Sequence, residues 1–284
     1  MSVISAEFDQ SFTANGHQLV YDIYGPSSAP LVVYMHGLLM DSELNRGIAQ
    51  ALAEQGYRVA LLDLLGHGRS DKPTHASEYR IDSYADQVVA LLDHLGAERA
   101  VLGGISLGAN VSLFAADRYP TRVRALVLEM PVLERAVPAA ALFFVPILLA
   151  AHYGRRVVNV TSGVMSRIPR TRFGPLNSLM NATSLSPDVI AAVLHGVLVG
   201  PTAPTQEQRR AVQVPVLVLA HRNDLIHPFD DAVSLVERTP NSVLVRARSP
   251  LELRLRPKRL TDAIVAFLSS LEPESARGRS RRPA

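Results

Sequence analysis

The chain has 284 residues, 48% of them hydrophobic and 19% charged, which is ample apolar content for one large domain with a sizeable buried core. It contains no cysteine, so disulfides, thiolate metal centres and a cysteine nucleophile are all excluded. The formal charge is +3, but Arg277, Arg279, Arg281 and Arg282 set against Glu272 and Glu274 place +2 of it in residues 272–284. The remaining +1 argues against a nucleic-acid-binding surface.

Residues 1–12 carry acidic side chains and no basic run ahead of an apolar stretch. This is not a secretory pattern, and a cytoplasmic location is expected. Residues 7–13 and 18–24 read as the two strands of a hairpin, because Asn15-Gly16 between them accepts the positive φ angles of a tight turn. From Leu31 onward short apolar runs (31–35, 58–62, 100–102, 123–128 and 216–220) alternate with helical periods. Uninterrupted apolar strands of this kind suit a parallel sheet buried on both faces. Residues 81–95 place Val88, Leu91, Leu92 and Leu95 at helical spacing, with Gly96 as the stop. The expected fold class is therefore α/β, a doubly wound, mostly parallel sheet with flanking helices.

The alternation breaks over residues 131–205, where Pro138, Pro146, Pro169, Pro175, Pro187 and Pro201 punctuate short helical segments. This stretch reads as an inserted helical cap, leaving residues 1–130 and 206–271 as the α/β core. Residues 136–151 are nearly all apolar, but a membrane span needs about 20 unbroken residues, and Pro138 and Pro146 argue against one. The run suits a helix packed on the sheet, an apolar pocket lining, or a lid that touches lipid. Residues 272–284 have almost nothing to bury and are expected to be a disordered basic tail.

Gly104-Ile105-Ser106-Leu107-Gly108 stands between a strand and the helical segment 107–118, the context of a nucleophile elbow. Ser106 on so sharp a turn needs small neighbours two residues before and after it. The helix that begins there aims the Leu107 amide at the reaction centre. A second amide, that of Leu38, follows the strand 31–35 in His36-Gly37-Leu38, and the two together suit an oxyanion hole.

With His36-Gly37, residues 63–70 (Asp-Leu-Leu-Gly-His-Gly-Arg-Ser), the elbow at Ser106 and the strand-to-turn segment ending at Asp224, the sequence resembles the α/β-hydrolase superfamily over residues 8–271. The resemblance implies that His36 and His67 are packing residues and that Asp224 is the triad acid, with Glu129 a second carboxylate position. Serine at position 106, in place of aspartate, sets the chain apart from haloalkane dehalogenases and epoxide hydrolases, which attack through a carboxylate. Acyl transfer on a carboxylic ester with an apolar portion is the expected chemistry.

The family's histidine belongs in the loop of residues 248–256, and that loop has none; Pro250 stands about where the base is expected. A serine hydroxyl without a base is a poor nucleophile. His227, three residues after Asp224 in an Asp-x-x-His-Pro turn, is the first candidate to replace it, although a packing role is open to it as well. His195 and His152 in the cap are others, and Glu252 is expected to pair with Arg254 or Arg256. A slowed enzyme that relies on its oxyanion donors, and a non-catalytic member binding an apolar small molecule or a protein partner, are the alternatives. No cofactor or metal motif accompanies the site.

Overall fold

The computed structural model describes residues 5–222 and 224–271. Strands β1 (Ala6–Ala14) and β2 (His17–Tyr24) form the hairpin, and its turn places Asn15 at φ 52° and Gly16 at φ 82°, the paired left-handed residues such a turn requires. The chain continues through β3 (Leu31–Met35), α1 (Arg46–Ala53), β4 (Arg58–Asp63), α2 (Ile81–His94), β5 (Ala100–Ile105), α3 (Leu107–Arg118) and β6 (Val123–Glu129). Five helices follow: α4 (Ala136–Tyr153), α5 (Arg155–Ser166), α6 (Gly174–Thr183), α7 (Pro187–Val199) and α8 (Gln206–Ala211). The chain then adds β7 (Val216–Ala220), α9 (Phe229–Arg238), β8 (Ser242–Arg246), α10 (Glu252–Leu255) and α11 (Lys258–Ser270).

The eight strands form one sheet in the order β1-β2-β4-β3-β5-β6-β7-β8. It is parallel from β4 to β8, and β2 joins both its neighbours antiparallel. The fold is thus α/β and mostly parallel, as the apolar runs predict. Because successive side chains in a strand point to opposite faces, Val33 and Met35 pack with α2 and α3 on one side, while Val32 and Tyr34 pack with α1 and α11 on the other.

One expectation needs correcting. Residues 136–153 form a single continuous helix with Pro146 inside it, so the prolines do not divide α4. Pro138 falls in the first turn, where a backbone donor is not needed. Pro146 removes the partner of the Leu142 carbonyl, and Leu142 is exposed, so water meets that group.

Named polar contacts tie the inserted helices to the sheet. The Asn110 amide on α3 donates to the carbonyls of Val132 and Thr202, both at 2.7 Å. The buried Asp231 carboxylate of α9 accepts from the amides of Arg135 and Ala136 at 3.3 and 2.9 Å, supplying an anion where the α4 N-terminus needs one. On α6, Asn181 donates to Asp41 at 2.7 Å and Asn177 to Glu43 at 2.8 Å. The basic tail predicted for residues 272–284 lies outside the described residues.

Candidate active site

Ser106 sits between β5 and α3 at φ 53°, ψ −107°, a strained geometry that persists only where its surroundings enforce it. The enforcement is steric. A Cβ on Gly104 or on Gly108 would lie 2.6 Å from the Met35 carbonyl oxygen, so both positions must be glycine for β3, β5 and α3 to meet so closely. The Ser106 amide donates to the Glu129 carbonyl at 2.8 Å, and Gly108 donates to the His36 carbonyl at 3.1 Å. Leu107 opens the helix and Leu38 follows the His36-Gly37 turn. Both line the cavity over Ser106, and among the described residues neither amide donates to another protein group.

The turn after β7 brings the acid and a histidine to the same serine. One oxygen of Asp224, Oδ1, accepts the backbone amides of Ile226 and His227 at 2.8 and 3.0 Å, which closes the turn on itself as an Asx-type motif. The other, Oδ2, lies 2.9 Å from His227 Nδ1 and 3.0 Å from the buried His221 Nε2. His227 Nε2 lies 3.0 Å from Ser106 Oγ. Burial pushes the Asp224 carboxyl up, but the His227 ring and the two turn amides outweigh it and hold the group well below the usual carboxylate range. A carboxylate that stays ionised takes the Nδ1–H of the ring and leaves Nε2 as the acceptor facing the serine.

The other candidates lie elsewhere. His195 and His152 are exposed and make no contact with Ser106. Pro250 and Leu251, from the loop where a base is expected, do line the cavity beside Ser106 and His227, but neither can accept a proton. Glu129 is buried at the end of β6, where Arg254 pairs with it and Tyr34 donates to it at 3.0 Å. Glu252 pairs with Arg259 at 2.8 Å, so its expected pairing with Arg254 or Arg256 is wrong. Arg254 is drawn inward to Glu129, and Arg256 is exposed. Sequence reasoning missed Arg254 and His221. The i−3 spacing of His221 from Asp224 is the one signal that could have found the latter.

His36 and His67 are buried below the site. His36 Nδ1 donates to the Gly37 carbonyl at 2.9 Å and its Nε2 accepts the Leu64 amide at 3.1 Å, which fixes a neutral ring. Burial, with His36 beside it, pushes His67 down to about 3. A histidine depressed in the fold stabilises the protein fully above its unfolded value and loses that contribution as the pH falls toward the folded one. Unfolding free energy should therefore decline between pH 6.5 and about 3, by about 1.4 kcal/mol per pH unit from this residue. Urea titrations over that range should show a shallower decline for His67→Asn, and an unchanged slope would remove His67 from the account.

Two cavities meet at Ser106. One of about 210 Å³ runs between Leu107, Phe144 and Val197. The other, of about 750 Å³, runs past His227 between Phe143, Ile147, Val158 and Met165. Among the described residues no cluster of side chains is arranged to hold a metal ion.

Residues 30–247 match the profile of the alpha/beta hydrolase fold. The chain belongs to this family. Its members are enzymes, and hydrolase activity on a small molecule is the assignment the membership carries. The chain is 26% identical to a non-heme chloroperoxidase of Streptomyces lividans, over 91% of its own length and 98% of that protein. It is 34% identical to a haloalkane dehalogenase of Mycolicibacterium paratuberculosis, over 41% of its own length and 40% of that enzyme, so the second likeness spans well under half of either chain. Among solved structures, the enol-lactonase from Burkholderia xenovorans LB400 superimposes with a TM-score of 0.74 at 22% identity, covering 92% of this chain and all of that one.

Proposed function

We propose that this protein is a serine hydrolase of carboxylic esters or related acyl compounds with an apolar portion, with Ser106 as nucleophile, His227 as general base and Asp224 as the acid that orients it. The observation that carries the reading is the unbroken chain from Ser106 Oγ to His227 Nε2 at 3.0 Å and from His227 Nδ1 to Asp224 at 2.9 Å. It supplies the base that the loop after β8 lacks.

The steps follow from that order. His227 Nε2 takes the Ser106 proton as Oγ bonds to the acyl carbon, and the carbonyl oxygen, now anionic, accepts the amides of Leu38 and Leu107. As the intermediate collapses, the carbon–oxygen bond to the alcohol breaks, and the alcohol leaves with the proton from His227. Water, deprotonated by the same ring, then attacks the acyl-enzyme and releases the acid and Ser106. The two apolar cavities divide the substrate between an acyl side and a leaving-group side. Residues 131–205 serve as the cap that closes over both.

Purified protein should react with a fluorophosphonate at Ser106 and hydrolyse a short-chain nitrophenyl ester, with both signals lost in Ser106→Ala. If folded wild-type protein takes no label at any pH where it remains folded, the reading fails and a binding protein for an apolar ligand takes its place.

A further inference from the structure

Helices α4 and α5 are apolar on both sides. Their inner faces, through Phe144, Ile147, Val158 and Met165, line the larger cavity. Outward, Leu142 is 80% exposed, and Val157, Val160 and Val164 on α5 are each more than half exposed. The three valines are spaced three and four residues apart and so share one face of the helix. Only Ala136 and Ala151 of α4 are buried. Contiguous exposed apolar surface of this kind marks a contact site.

The unpaired charge along these helices is basic. Between Glu134 and Asp188 the sequence has no acidic residue and six arginines. Arg135 pairs with Asp230 and Arg155 with Asp188. Arg156 and Arg167 are exposed and, among the described residues, make no ion pair. They bracket the valine stripe at either end of a helix about 18 Å long. Arg156 lies in the first turn of α5, where its charge opposes the helix dipole and an external anion would offset it.

We propose that the outer face of α4 and α5 seats the protein on an anionic lipid bilayer, with the valine and leucine side chains in the acyl boundary and Arg156 and Arg167 on the phosphates. An apolar stripe edged by arginine matches the layering of a membrane interface, where acyl chains and anionic headgroups lie within about 5–10 Å of each other. A second copy of the chain meeting this face symmetrically would set the arginines against one another. By length and composition α4 is the one unbent helix among the described residues able to cross a bilayer. Its inner face belongs to the cavity, however, so it lies along the surface. The proposal stands on surface chemistry and is independent of the reaction at Ser106.

The test is co-sedimentation with phosphatidylcholine vesicles, with and without phosphatidylglycerol, which reads binding without turnover. Partition into the anionic vesicles should exceed that into the neutral ones roughly ten-fold or more, and should collapse in 1 M salt, where the screening length is about 3 Å. Arg156→Gln and Arg167→Gln, which leave the core untouched, should each lower it about five-fold. Val160→Asp with Val164→Asp should abolish it at an unchanged melting temperature. No partition, equal partition into both vesicles, or a dimer in lipid-free solution that the valine variant converts to a monomer would overturn the proposal.

Discussion

On the proposed mechanism, replacing His227 by alanine should lower kcat/KM for an activated ester by about 10⁴-fold or more, with little change in KM, because the base is lost while the apolar cavities stay intact. Fluorophosphonate labelling slows in parallel, since it draws on the same deprotonation of Ser106. Among the described residues the ring bonds to the Asp224 and Ser106 side chains, and the turn around it is closed by Asp224 on backbone amides, so the variant should keep its fold and melting temperature. An Asp224→Asn substitution costs about as much in rate: its amide oxygen can still accept the turn amides, but the NH₂ that replaces Oδ2 cannot accept the His227 Nδ1–H. The histidine variant removes the base itself and is the cleaner probe. Activity within ten-fold of wild type in His227→Ala would mean that another group takes the proton, and the reading of this turn as both acid and base would be abandoned.

The sheet and the elbow are legible in the sequence because their signals are local. Asn15-Gly16, the glycines at 104 and 108, and the apolar strands each specify their own few residues. The proposed base is legible only as a candidate. Its partner Ser106 lies 121 positions away, and nothing in an Asp-x-x-His-Pro turn says which way the ring faces. What decides it is the double use of Asp224, which folds the turn through Oδ1 and so swings the ring to Oδ2. Helix α4 misleads for a related reason. Proline rules describe a helix standing alone, whereas this one packs against α7 and has its N-terminus met by Asp231 from the far end of the chain. Arg254 was invisible as a partner of Glu129, since the two are 125 residues apart and each has nearer charges with which to pair.

That buried pair sets the second large effect. The side chains of Arg254 and Glu129 are only 3% and 5% exposed, and although burial alone would lower Arg254, the Glu129 carboxylate holds it above its ordinary value. Removing one partner strands the other charge out of water, at a cost of about 3–5 kcal/mol. In a protein of this size that lowers the melting temperature by roughly 10 °C. Arg254→Met should show this loss. Adding Glu129→Leu should restore part of it, since an apolar pair of similar volume replaces an ion pair with little net cost, while the buried Tyr34 hydroxyl loses its acceptor, at about 1–3 kcal/mol. The restored double variant bears on catalysis as well. The Ser106 amide bonds to the backbone of Glu129, not to its side chain, so the elbow should survive the exchange and Ser106 should label at the wild-type rate. A double variant no more stable than Arg254→Met alone would place the cost in the lost Arg254 contact to Asn45 and the orphaned Tyr34 hydroxyl, not in an orphaned Glu129. One that regains stability but not labelling would show that this ion pair, occupying the loop where the family keeps its histidine, also positions the reacting serine.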